Sequence, residues 1–370
     1  DVYWLECFDS ADDPEQDRHA LAVFMDRMRH FGMARRVIVH HAGQPYPPED
    51  DFGGLALAGR AAEQVARRAD LLLNFSYSIE ADVLRRFDRT ALIDIDPGLL
   101  QFWISQGQIE VQPHDLYFST GETVGRPDAR FPSCGLPWQA IRPIIYLPDW
   151  PVTYDPGAEA LTTVSGWWGD EWISDGQDVL YQNNKRVSFM QYADLASRTS
   201  QPLELALCLG LDIAEGAEVW RQPDNPEYAH DIDYQGDQAD RDTLEGYGWR
   251  IRLASQVAGT PEDYRQYIRR SRGEFSCAKP SCMKFQNAWV SDRSLCYMAS
   301  GKPVIVQNTG PSQWLPDAQG MFRFSTPDEA LSAIEDMNAN YRLHCEASRE
   351  LAERLFSAET VLRKVLEVAC

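Results

Sequence analysis

Short apolar runs of strand length recur along this chain, and stretches with helical spacing separate most of them. Val37–Val39, Leu71–Phe75, Ala91–Ile95, Leu161–Val164, Leu203–Leu209 and Val304–Val306 are such runs, with a shorter one at Val2–Leu5. Between the first two strands Leu21, Phe24, Met25, Met28 and Phe31 fall on one face of a helix over Ala20–Phe31, which Gly32 stops. The same logic predicts helices at Gly59–Ala69, Ile79–Phe87, Pro261–Ser271 with Thr260 as its cap, and from Pro327 onward. Strands joined through helices run parallel, because a parallel pair needs a crossover connection. The series breaks over a proline-rich span ending at Pro156 and restarts at Leu161, so the 370 residues predict two α/β domains.

Charge and cysteine usage remove several classes of function. Fifty-six acidic residues against thirty-five basic ones give a net charge of −21, which disfavours nucleic acid as a general partner and leaves room only for a local basic site. No apolar run is long enough to span a bilayer. The eight cysteines are scattered without a paired C-x-x-C or a zinc-type His/Cys set, so free thiols in a reducing, cytoplasmic setting are expected, with no metal. The chain opens at Asp1-Val2-Tyr3 as though already inside a strand, which predicts that residues precede it.

Candidate ligand positions follow from the strand ends. Open α/β sheets bind ligands beyond the carboxyl ends of their strands. Asp94, Asp96, Pro97, Gly98 and Gln101 stand at one such end, where Asp96 is either a general base or a turn-forming Asp before proline. His114, beside Asp115 and ahead of Leu116–Ser119, is a second candidate base, whereas adjacent His40 and His41 suit a solvated pair. Ser165 and Gly166 close a later strand where the backbone can approach a phosphate. Lys185 and Arg186 either face an anion or form a solvated pair. From Ser271 to Gly310 the chain carries Arg272, Glu274 and Lys279, a helix start at Ser291-Asp292-Arg293-Ser294, the strand Val304–Val306 and the turn Gln307-Asn308-Thr309-Gly310. Free amides and the positive dipole end of that helix suit a diphosphate, and the turn suits sugar hydroxyls.

At Ser271–Phe275, Ser291–Ser294, Ala299–Val304 and Gln307–Gly310 the sequence resembles a poorly characterised group of bacterial family-1-like glycosyltransferases of the GT-B class. The resemblance extends to Asp94–Gly98 with Gln101, to Gly121-Glu122 and to Thr162–Gly166. It implies two Rossmann-like parallel-sheet domains facing a cleft: an acceptor-side domain over 1–152, a donor domain over 153–356, and a last helix within 357–370 packing back on the first. It implies a nucleotide-sugar donor, an unidentified acceptor and a site that works without metal or cofactor. Ser165, Gly166 and the amides of Ser291, Asp292, Arg293 and Ser294 are then expected at the diphosphate, and Glu274 at the ribose. Arg272, Lys279 and Lys185 would supply positive charge, while Gln307, Asn308, Thr309 and Gly310 would form the sugar-side turn. Asn308 departs from the Asp expected in the group, which opens the identity of the sugar.

The same architecture also accommodates a nucleotide-sugar epimerase or hydrolase, or a binding protein that retains the cleft without turnover. A dinucleotide-dependent oxidoreductase is disfavoured, since no G-x-G-x-x-G follows a strand.

Overall fold

The strands pair parallel wherever strand–helix alternation predicts it. The computed structural model describes residues 1–8, 14–41, 56–168, 172–174, 180–209, 234–317 and 319–369. Two compact units result: Asp1–Asp94 with Trp103–Phe118 and Val368–Cys370, and Ile95–Phe102 with Ser119–Glu367. The proline-rich span, expected to connect two domains near residue 152, thus lies inside the second unit. So does the last helix, Ala358–Ala369, as far as Glu367.

In the first unit Trp4–Phe8 lies parallel to Val37–His41, in register from Trp4↔Val37 to Phe8↔His41. The helix between them, Pro14–His30, begins earlier than its apolar spacing alone predicts. It buries Leu21, Met25 and Met28 against Val37 and Val39. Leu72–Asn74, Thr90–Asp94 and Leu116–Ser119 follow in that order across a second sheet. The helix predicted over Ile79–Phe87 is a single turn, Ala81–Leu84, and Ile79, Val83 and Leu84 pack there with Leu5, Leu72 and Phe87. His40 is not solvated: it is buried, with Nε2 3.0 Å from the Glu80 carboxylate.

The second unit is built on six strands ordered Arg250–Leu253, Leu203–Cys208, Leu161–Gly166, Gly273–Ser276, Val304–Gln307, Met321–Phe324, each neighbouring pair parallel. The chain enters at the centre, works outward to one edge, then returns to the centre and builds the other side. Strand order therefore reverses between Leu161–Gly166 and Gly273–Ser276, the doubly wound arrangement in which such a point opens a crevice. Pairing across it stops early, with only Gly273↔Leu161 and Glu274↔Thr162, whereas Leu161–Gly166 pairs with Leu203–Cys208 over six residues. Successive side chains alternate between the faces of the sheet. Phe275, Ile305, Phe322 and Phe324 enter one buried cluster with Trp167 and Phe189, while Val304 and Met321 enter another with Leu295, Tyr297 and Phe356. Thr260 caps its helix as predicted and Thr326 caps the helix from Pro327, accepting from Asp263 N at 3.1 Å and Glu329 N at 3.2 Å.

Candidate functional site

At the carboxyl ends of the second unit's strands, a pocket of about 260 Å³, counting its open mouth, lies between two strand ends and one helix start. Ser276, Cys277 and Ala278 form one wall, where the strand Gly273–Ser276 runs out. Val306, Gln307 and Thr309 form the next, and Trp289 and Val290 lead along it to Ser291 and Ser294. Those two serines open the eight-residue helix Asp292–Ala299, whose N-cap Ser291 makes no side-chain capping bond.

Backbone geometry holds this wall rigid. Gln307 Oε1 accepts from Ala278 N at 3.0 Å and its Nε2 donates to the Tyr192 hydroxyl at 3.4 Å, tying two strand ends together. Thr309 Oγ1 donates to Trp289 O at 2.7 Å, and Asn308 Oδ1 accepts from Gly310 N at 3.0 Å. Gly310 has φ +132°, and a Cβ there would sit 2.5 Å from Gln286 O, so only glycine closes this turn. Gln307 and Asn308, expected to read sugar hydroxyls, thus use their side-chain oxygens on the Ala278 and Gly310 amides.

The motif fragments from the amino-terminal half also brace this unit. Gln101 Oε1 accepts from Gly98 N at 2.6 Å, and Asn287 Nδ2 donates to Pro97 O. Buried Glu122 receives Gln313 N at 2.7 Å and the Ser312 hydroxyl, holding the chain just after Gly310. The Asp96 carbonyl accepts from Leu99 N and Leu100 N at 3.1 Å each, the turn-forming reading of that residue. Its carboxylate also lies near Asp292, whose own carboxyl is pushed up by burial and by the Asp96 charge. In the first unit both ring nitrogens of His114 are engaged. Nδ1 is 2.7 Å from Gln112 O and Nε2 is 3.0 Å from Asn74 Nδ2, a pattern that fits the neutral Nδ1–H tautomer. Burial lowers its pKa, with the Gln112 carbonyl and Asp115 opposing. Asp115 itself bonds Thr90, not His114.

Ser165 and Gly166 end the strand on the far side of the crevice. Ser165 is buried and its hydroxyl donates to Gly166 O at 2.9 Å, while Gly166 is exposed. Lys185 opens a helix, Lys185–Met190, whose N-cap Asn184 accepts from Val187 N at 3.2 Å. Its ammonium is set among Arg293, Glu274, Cys282 and Lys279, and burial, reinforced by Arg293, lowers its pKa to about 7. Arg186 is no solvated partner: its Nη2 donates to Asp240 at 2.8 Å, Trp167 Nε1 meets the same carboxylate at 2.8 Å, and the guanidinium lies over Trp168. Lys279 stands at the start of the helix Pro280–Phe285.

Two expected donor contacts are placed elsewhere. Arg272 precedes its strand and so sits at the amino end of the sheet, opposite the crevice. There its Nε donates to Asn338 Oδ1 at 2.7 Å, its Nη1 to Ala158 O at 3.2 Å, and the group lies over the Tyr341 ring. Glu274 is fully buried and cannot reach a ribose, because its Oε1 takes Arg293 Nε at 2.6 Å. Arg293 correspondingly turns into the core rather than toward the pocket. Sequence reasoning missed Ser276, Cys277, Ala278, Trp289, Val290 and Val306. The strand-end rule would have found the first three had Gly273–Ser276 been recognised as a strand. Among the described residues no group of three or more His, Cys, Asp or Glu side chains is placed to hold a metal ion. No described helix is long and apolar enough to cross a membrane.

No protein-family model matches this chain, and no curated protein matches it. Solved structures match along nearly the whole length. The sucrose-phosphate synthase of Thermosynechococcus elongatus is 12% identical with a TM-score of 0.53, over 99% of this chain and 98% of that one. Anabaena HepE in complex with UDP-glucose is 11% identical with a TM-score of 0.54, over 100% and 99%. An α-glucosyltransferase in complex with UDP and a 13-mer DNA is 10% identical with a TM-score of 0.51, over 99% and 99%. At such identities the likeness is one of fold, and that fold is GT-B, with two Rossmann-like domains.

Proposed function

We propose that the chain is a glycosyltransferase that takes its sugar from a nucleotide-sugar donor held by the second unit. The observation that carries this reading is the pocket at the strand ends beside the reversal of strand order, walled by Ser276–Ala278, the start of the Asp292–Ala299 helix and the Gln307–Gly310 turn. That HepE, of the same fold, is described in complex with UDP-glucose supports the choice of ligand class. In this reading the amides at Ser291–Ser294 and the positive helix end receive the diphosphate. Lys185 and Lys279 neutralise the charge that grows on the leaving nucleoside diphosphate, so the reaction proceeds without a metal ion. An anion beside Lys185 favours its charged form and raises its pKa from about 7. Backbone groups of the Gln307–Gly310 turn meet the sugar hydroxyls. Asp96 is the preferred candidate base, since the ring nitrogens of His114 are both engaged.

The test is a melting series with UDP, GDP and dTDP on the wild type and Ser294→Glu. One nucleotide at about 100 times its Kd should add about 2.7 kcal/mol of stability to the wild type. The glutamate, placing negative charge at the helix start, should abolish that gain. No gain from any of the three, or an equal gain in both proteins, rejects the reading.

A further inference from the structure

The two central strands of the second unit part after Glu274↔Thr162. Beyond that point one guanidinium spans the gap. Arg293 Nη1 donates to Val164 O at 2.9 Å on one strand, while its Nε donates to Glu274 Oε1 at 2.6 Å and its Nη2 to Ser276 Oγ at 2.5 Å on the other. Because Arg293 is also in the first turn of the Asp292–Ala299 helix, three elements that bound the crevice converge on one buried group. Its partner is equally buried, and Glu274 Oε2 has no hydrogen-bond partner among the described residues. Such an arrangement is costly, since a buried ion pair recovers its desolvation only through good geometry and full hydrogen bonding. Replacing a buried ion pair by apolar side chains of similar volume is often neutral or stabilising.

We propose that Arg293 and Glu274 are a positioning pair for the diphosphate subsite: they pin the parted strand ends at a fixed spacing and supply the fixed charges beside which Lys185 meets an anion. The proposal rests on the donor reading above and adds residues that do not touch the donor. Lys185 faces Arg293 from the helix, Glu274 from the strand, Cys277 from the strand's exit, and Lys279 and Cys282 around the following helix start. Arg293 opposes its charge and Glu274 favours it. The two halves of the ion pair therefore act on Lys185 in opposite directions, so removing each in turn has opposite expected effects on its charge.

The experiment measures UDP affinity by calorimetry from pH 6 to 9 for the wild type, Arg293→Gln and Glu274→Gln. Each variant is divided by the wild-type value at the same pH, so that ionisation of UDP itself cancels. The Arg293→Gln ratio should rise with pH and the Glu274→Gln ratio should fall, by about tenfold for each unit by which Lys185 is displaced. Flat ratios, or ratios that move together, overturn the proposal while leaving the donor reading intact. Absence of UDP binding by the wild type at every pH fails the donor reading first and the pair's role with it. Should either single variant not fold, the double replacement Arg293→Met with Glu274→Met removes both charges and leaves none buried alone. A folded double variant should bind UDP at least tenfold more weakly than the wild type. Unchanged affinity makes the pair structural only.

Discussion

Lys185 is the residue whose chemistry is most sensitive to its surroundings. Its pKa of about 7 in the folded chain, down from 10.5, arises from burial and then from the Arg293 charge. The sign of the stability effect follows from proton counts. Between pH 7 and 10.5 the unfolded chain keeps the lysine proton that the folded chain has lost, so folding releases it and stability rises with pH across that window. Below pH 7 both states hold the proton and the full penalty of the buried charge remains. Buried thiols act the other way at higher pH. Burial raises Cys282 to about 11 and Cys296 to about 12, so above the unfolded value of 9.0 stability declines. The clean interval for Lys185 is therefore pH 7 to 9. Urea unfolding of the wild type and Lys185→Met over this interval should show a positive slope that the variant loses in part, because Lys302, also lowered by burial, adds a term of the same sign to both proteins. Equal slopes would mean that the ammonium is solvated. With UDP bound the same lysine should stay charged to higher pH, and binding above pH 7 should draw a proton from the buffer.

At the scale of elements, much of the architecture was legible because its periodicities are local. Val37–Val39 and Val304–Val306 each grew by a residue or two, while the Thr260 cap stands where it was predicted and the helix from Pro327 starts on schedule behind Thr326. Gly273–Ser276 was hidden because Arg272, Glu274 and Lys279 read as a ligand-facing charged cluster. A glutamate inside a buried strand makes sense only once its partner is known, and that partner is 19 residues away. The placement of Glu122 and Asn287 was hidden for a related reason: each braces a loop distant in sequence, and no short-range signal encodes such a bond. Element direction also decides which charges reach the pocket. Arg272 stands at the amino end of its strand, so Arg272→Ala should leave nucleotide affinity unchanged. It should nevertheless cost about 1–3 kcal/mol of stability through loss of Asn338, the Ala158 carbonyl and the Tyr341 ring face. Denaturant midpoints and UDP calorimetry on the same preparation separate the two quantities, and a large loss of affinity in a well-folded variant would return Arg272 to the site.

For the molecule as a whole, the proposed transferase reading leaves an acceptor that charge limits more than the fold does. GT-B proteins of similar length act on unlike partners, and two Rossmann-like domains say nothing about which hydroxyl receives the sugar. A net charge of −21 does discriminate. A polyanionic acceptor would approach against that field along most of its length, and release of its counterions needs a row of lysines and arginines on the protein. Here the basic side chains assigned to the diphosphate in the proposed reading, Lys185 and Lys279, are enough for one diphosphate, and Lys185 already feels the charge of Lys279. Many other arginines are already paired at close range with carboxylates, as Arg186 is with Asp240 and Arg349 with Glu353. The acceptor is accordingly expected to be neutral or small rather than a nucleic acid or another extended polyanion. Gel retardation of a short DNA duplex and a single strand at about 50 mM salt, where counterion release favours binding most, should show no complex at micromolar protein. A salt-sensitive complex under those conditions would mean that a basic surface has been gathered despite the overall charge, and would reopen the polyanionic acceptors.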